Sequence, residues 1–201
     1  MNTKTNKSVN REAWLTHAVE ALTPIFTEQG HVVPRVRVSC AFPSSSHKGS
    51  AVGQCWGTSF SSDGVNEIFI TPVFSKAFDV LDTLTHELVH AVDNCEHKHG
   101  RVFREIATSI GLEGKMIYAS AGTRLKKRLL SISDVLIKEF GNYPHGAMSF
   151  PDSKPASARL SPLAVCPICN FQVTVSRKSL DFGPPICPRD KILMKRKGKW
   201  K

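Results

Sequence analysis

The chain of 201 residues is long enough for one domain of ordinary size, or one domain with a small appendage. Its composition, 41% hydrophobic and 22% charged, is that of a globular chain able to bury a core, and no apolar run approaches the roughly 20 residues that cross a bilayer. The formal charge of +10 is uneven: residues 1–150 carry 16 Lys and Arg against 14 Asp and Glu, whereas residues 151–201 carry 11 against 3 and no Glu.

The start, MNTKTNKSVNREAW, lacks the apolar centre of a signal peptide, so a cytoplasmic protein without a membrane partner is the expectation. Residues 1–10 are expected to be disordered. From residue 11 to 29 the apolar positions Trp14, Leu15, Ala18, Leu22 and Ile25 recur at helical spacing, ending at Gly30. Pro34 to Cys40 alternates Val36 and Val38 with Arg35 and Arg37, which reads as a strand with one wet face. Residues 43–53 are a Ser- and Gly-rich loop, and Gln54–Phe60 with Val65–Thr71 flank Ser61-Ser62-Asp63-Gly64 as a predicted hairpin.

After Pro72 the period becomes helical, with Phe78, Leu81, Leu84, Leu88 and Val92 in one stripe and His86 and His90 away from most of it. A second helix is predicted over about 100–110, stopped by Gly111, and a third over 123–140, with Leu125, Leu129, Ile132, Leu136 and Phe140 on one face. Residues 151–162 read as a Pro/Ser/Ala-rich linker, and 163–201 as a basic, cysteine-bearing segment.

His86-Glu87-Leu88-Val89-His90 carries the chemistry. Two imidazoles four residues apart on a helix share a face, as one zinc ion requires, and Glu87 beside them can reach a zinc-activated water as general base. Hydrolysis of peptide bonds is the expected reaction. The third ligand is open among His97, His99, Glu105 and Glu113; the metzincin spacing is excluded because Asp93 and Glu96 stand where Gly and His would be needed. His99, before Gly100 and a helix start, is favoured by spacing. Asp93 reads as a solvated helix residue or, in second place, as a carboxylate that orients an imidazole, and Tyr118 and Tyr143 are candidate oxyanion donors to which no role is committed.

Among the six cysteines, Cys166, Cys169 and Cys187 cluster. Cys166-Pro167-Ile168-Cys169 is one knuckle, and Cys187-Pro188-Arg189-Asp190 stands 17 residues on with aspartate in the fourth place. Three sulfurs and a carboxylate are a legitimate tetrahedral zinc set, and a segment this short has little core of its own.

The motif with His99-Gly100-Arg101-Val102-Phe103, together with Gly53-Gln54-Cys55-Trp56-Gly57, Asn66-Glu67-Ile68-Phe69-Ile70 and Gly111-Leu112-Glu113-Gly114-Lys115-Met116, resembles the SprT-like (Spartan-related) metallopeptidases of the phage and bacterial branch. The resemblance covers about residues 50–150 well and the tail loosely. It implies an α+β fold, with a zincin-like domain over 11–150 (a small antiparallel sheet packed with helices) followed by a zinc-ribbon-like module. It also implies His86, His90 and His99 as ligands of one catalytic zinc, Glu87 as base, and a second, structural zinc on Cys166, Cys169, Cys187 and Asp190. The host would be a bacterial or phage-infected cell.

Such proteins act on DNA-associated proteins, which agrees with the basic tail. Arg177, Lys178, Lys195, Arg196, Lys197, Lys199 and Trp200, with Phe182, are the candidate contacts to DNA, single strands included. The rival expectations are a nucleic-acid-binding or transcription-associated zinc module whose protease site is idle, and a peptidase with a dedicated protein substrate.

Overall fold

The structure, a computed structural model, describes residues 9–44, 51–149 and 163–197. It is mixed α and β, and the chain divides into two compact units, residues 1–152 and 153–201. No helix among the described residues is long and apolar enough to cross a membrane. The expected linker, Lys199 and Trp200 lie outside the described residues, as do residues 1–8 of the expected disordered start.

Helix α1 (Arg11–Thr27) begins on Asn10, whose side chain accepts from Ala13 N at 2.8 Å, so the expected disorder does not extend to this residue. Its apolar positions Trp14, Leu15, Ala18, Leu22, Ile25 and Phe26 are buried. Beside it lies a three-stranded sheet of β1 (Val36–Cys40), β2 (Gly53–Trp56) and β3 (Asn66–Ile70), ordered β1-β3-β2. β2 runs antiparallel to β3, but β1 runs parallel to it, so the sheet is mixed rather than antiparallel. Alternation on a strand marks its wet face and says nothing of its neighbour's direction. Arg37, on the wet face of β1, reaches Glu67 across the pair at 2.7 Å and also Asp63.

The predicted hairpin has a longer connection and a shorter first strand than expected. β2 stops at Trp56, because Gly57 lies against the Asn94 carbonyl, where an added Cβ would sit at 2.8 Å, and Thr58–Phe60 turns into a 3-10 helix. The tight turn survives, with Gly64 at φ +68° donating to Ser61 O.

Helices α2 (Ala77–Val92), α3 (Arg101–Ile110) and α4 (Thr123–Phe140) complete the larger unit, with a short ribbon of β4 (Leu112–Glu113) and β5 (Ser120–Ala121) between the last two. Gly111, at φ +97°, closes α3 in the left-handed conformation that favours glycine. Helix α2 was expected to bury one stripe. Instead both faces of its second half are covered, so Thr85, His86, Glu87 and His90 are buried together with Leu84, Leu88 and Val89. Each such aliphatic side chain contributes about 1.5–3 kcal/mol by leaving water, which explains why the helix can hold polar groups inside.

The smaller unit is a three-stranded antiparallel sheet, β7-β6-β8, of β6 (Leu163–Val165), β7 (Gln172–Thr174) and β8 (Lys195–Lys197). Its core is small: Ala164, Val175 and Met194 pack with Cys166 and Cys187.

Candidate metal centre

Among the described residues, two groups of His, Cys or Asp hold their ligand atoms within 4.8 Å of one another: His86, His90 and His99, and Cys166, Cys169, Cys187 and Asp190. The first is built on α2, where the four-residue spacing puts His86 and His90 one turn apart. His99 arrives from the segment after the helix by an abrupt reversal. Asn94, Cys95 and Lys98 all take positive φ, at 50°, 61° and 50°, which is costly for side-chain-bearing residues.

Two side chains stabilise that reversal. Asp93 accepts from His97 N at 2.9 Å and lies 2.6 Å from His97 Nδ1, while Asn94 Oδ1 accepts from Thr58 N at 3.0 Å. Asp93 therefore shapes the turn through His97 rather than orienting a ligand imidazole, which corrects the expectation for it. His97 is outside the cluster. Glu105 is exposed and pairs with Arg101, and Glu113 is exposed beside Gly122, so His99 alone of the four candidates joins His86 and His90.

The three imidazoles meet through their Nε2 atoms, with His99 Nε2 3.2 Å from that of His86 and 3.1 Å from that of His90. Tetrahedral ligands at a zinc–nitrogen distance of about 2.0–2.1 Å would stand roughly 3.3 Å apart, so the spacing fits such an ion. Protonation fits too. His86 Nδ1 is 3.2 Å from the Ala119 carbonyl, which can only accept, so the ring proton is on Nδ1 and the Nε2 lone pair faces the cluster. Burial lowers the pKa of all three, His86 to about 4 and His90 to about 3, so the rings are neutral, the form in which an imidazole binds a metal. Phe103, fully buried, lies beneath all three rings at 4.4–5.1 Å between centroids.

Glu87 is buried next to this cluster on the wall of an open cleft of about 680 Å³, lined by β2, α2, the 95–99 reversal and residues 117–120. Burial, reinforced by the Cys95 thiol, pushes the Glu87 carboxyl up to about 8, while the Cys55 backbone N–H draws it down. Gly53 permits this arrangement, because a Cβ there would sit 2.4 Å from Glu87 Oε1. Tyr118 is exposed at the cleft, whereas Tyr143 is buried, edge-on to Trp14 at 5.2 Å, and belongs to the core. Asp82, Cys55 and Cys95 also line the cleft and carried no assignment from sequence. Asp82, one turn before His86, was the one that helical spacing might have flagged.

The second cluster repeats one knuckle twice. Cys166 N donates to Phe171 O, and Asn170 N donates to Cys166 O; Cys187 N and Lys191 N make the matching bonds to Ile192 O and Cys187 O. Asn170 and Lys191, each four residues after the knuckle's first cysteine, share φ near +60°, at 59° and 56°. Asp190 thus occupies the fourth cysteine's place in an undistorted turn. Its Oδ2 is 3.1 Å from Cys166 Sγ and 3.6 Å from Cys187 Sγ, and Cys169 Sγ is 3.7 Å from Cys187 Sγ. Tetrahedral zinc would separate sulfurs by about 3.8 Å and sulfur from oxygen by about 3.6 Å, so this donor set also fits.

Of the candidate nucleic-acid contacts, Lys195, Arg196 and Lys197 form β8 and are exposed, Lys178 is exposed on the helical turn Arg177–Leu180, and Phe182 is 94% exposed. Comparison with protein-family models, with curated proteins and with solved structures finds no match. The functional reading therefore rests on this geometry and on the motifs.

Proposed function

We propose that the chain is a zinc-dependent metallopeptidase of the SprT-like kind, which hydrolyses peptide bonds in DNA-associated proteins. The observation that carries the reading is the convergence of three Nε2 atoms beside a buried carboxyl on the wall of an open cleft. Neutral nitrogens at this spacing suit zinc, and all three histidines line the cleft, so an ion held by them would be open to substrate, as a catalytic rather than structural site requires.

Bound there, zinc would acidify a water and polarise a peptide carbonyl. Glu87 does the proton work. A neighbouring cation favours its ionised form against the burial that raises its pKa. Its carboxylate accepts the proton of the attacking water and returns it to the leaving amide nitrogen. The backbone of β2 at Gly53 and the Cys55 N–H keep that carboxylate against the strand instead of free to bind the ion. His86, His90 and His99 stay neutral at ordinary pH, so no proton competes for the metal.

The smaller unit would hold a structural zinc and present the cationic face of β8, with Phe182 exposed, to nucleic acid. Tethering then raises the local concentration of DNA-bound protein at a permissive cleft. Glu87→Gln tests the reading against an idle protease site. The variant should keep its zinc and lose cleavage of a DNA-bound protein by roughly 10²–10⁴-fold, the range a general base supplies. A parent that binds zinc but cleaves no protein, or a variant that cleaves like the parent, would refute it.

A further inference from the structure

His86 owes its orientation to a carbonyl that lies 33 residues away in the chain, and something must hold that carbonyl still. Ala119 precedes β5, a strand of two residues paired only with the equally short β4 through Leu112↔Ala121 and Glu113↔Ser120. The other backbone bonds of residues 115–122 stay within the segment, run to Gly111 or, at Gly122 O, accept from Lys126 N at the start of α4; none reaches α2. Such a short ribbon has little stiffness of its own.

One side chain ties it to the metal-binding helix. Asp82 Oδ1 accepts from Ala121 N at 2.7 Å. Asp82 is four residues before His86, on the same face of α2. The bonds close a ring, in which Asp82 fixes Ala121, Ala121 carries Ala119, and the Ala119 carbonyl takes the His86 Nδ1 proton. The helix thus grips, one turn earlier, the strand that orients its own ligand.

We propose that Asp82 is a positioning residue for the metal site, which sets the tautomer and rotation of His86 by fixing the Ala119 carbonyl. The inference rests on the zinc reading of the three histidines. It assigns to Asp82 and a backbone amide the part that a direct carboxylate partner plays for other metal-bound histidines. The carboxyl works as an acceptor, so its charge is secondary.

The test uses the full chain. Zinc affinity is measured by competition with a chelator, and the geometry is read from the visible spectrum of the cobalt(II)-substituted protein, in which the cysteine cluster is set apart by its thiolate charge-transfer bands. Asp82→Ala should weaken zinc at the histidine site by about 10–100-fold, the usual cost of losing an outer partner, and alter the cobalt ligand-field bands. Asp82→Asn, which keeps an oxygen acceptor, should restore both. Ala121→Pro removes the donated N–H, leaves Asp82 in place and should reproduce the alanine variant; it decides the matter if Asp82→Ala does not fold.

Parent-like affinity and spectrum in Asp82→Ala, or in Ala121→Pro where it stands in, would overturn the proposal. So would Asp82→Asn as defective as Asp82→Ala, since charge would then be what matters. If the parent's histidines take no zinc, the metallopeptidase reading falls and this inference with it. If the parent loads and the Asp82 variants load equally well, this inference alone fails.

Discussion

The two metal-suited clusters differ in what holds them. The histidine cluster sits on a scaffold that is complete without it: α2 is clamped among α1, α4 and the sheet by Leu81, Leu84, Leu88 and Val89, all fully buried. In the smaller unit the candidate ligands are themselves the core, since Cys166 and Cys187 are fully buried and, among the described residues, only Ala164, Val175 and Met194 are buried with them. A metal would be a guest in the first and a staple in the second.

The largest expected effect breaks the molecule along that difference. Chelation should abolish amide-exchange protection throughout β6, β7 and β8 while α2 keeps its own, read by hydrogen-exchange mass spectrometry. Cys187→Ala should do the same to the smaller unit in the presence of zinc. Asp190→Ala, which leaves three thiolates and an open position, should weaken metal binding and not abolish the fold. Protection that survives in β6–β8 after chelation would show that five buried side chains suffice, and the contrast would collapse.

A second perturbation is confined to the guest site. Gly53→Ala forces a Cβ into space held by Glu87 Oε1 and Thr83 Cγ2, at 2.4 and 2.7 Å. The carboxylate is the more mobile of the two and should shift. A displacement of about 1 Å can cost on the order of 10²-fold in rate, so kcat/KM on a DNA-bound protein should fall by that factor. Zinc content and melting temperature should stay near the parent's, because the alanine touches no ligand. An equal loss of zinc would mean that β2 positions the histidines as well as the base.

The asymmetry also explains what the sequence made legible. Helical periods located α1, α3 and α4 to within two residues, because those patterns record burial directly, and placed α2 only as following Pro72, where it begins at Ala77. His86, Glu87 and His90 were legible for the same reason, as spacing on a helix is geometry. His99 was only one of four candidates by spacing, since its placement depends on Asn94, Cys95 and Lys98 entering left-handed conformations that their residue types do not announce. Asp93 stayed open between a solvated residue and an imidazole partner, because a carboxylate next to a histidine motif gives no sign of which histidine, if any, it serves; it is buried against His97. The parallel β1–β3 pairing and the Asp82–Ala121–Ala119 connection are long-range, and no local pattern encodes them. The knuckles were readable because turn and ligand lie within five residues of each other, and Asp190 in an intact second turn shows that backbone geometry outlasts the change of ligand.

The smallest expected effect is a pH dependence that separates the guest site from its scaffold. In the metal-free protein, burial holds His86 near 4 and His90 near 3, against 6.5 for an ordinary imidazole, and Glu87 near 8, against 4.5 for an ordinary carboxyl. As pH falls below 6.5 the unfolded chain takes up histidine protons that the folded protein refuses, so stability is lost toward acid. Glu87 acts in the opposite sense. The folded protein retains a proton that the unfolded chain releases, so its contribution is full below pH 4.5 and is lost as pH rises through 8. Of these three groups only Glu87 contributes a slope above pH 6.5, about 1.4 kcal/mol per pH unit, so their combined contribution to metal-free stability should peak near that pH. Glu87→Gln should remove the alkaline limb, leaving the metal-free melting temperature level between pH 6.5 and 8 while the parent's falls by several degrees. Zinc should flatten the parent's limb as well, because a neighbouring cation favours the ionised carboxyl. A metal-free parent already level over that range would mean that Glu87 is ionised without its ion, and the scaffold would then be accommodating a buried charge on its own.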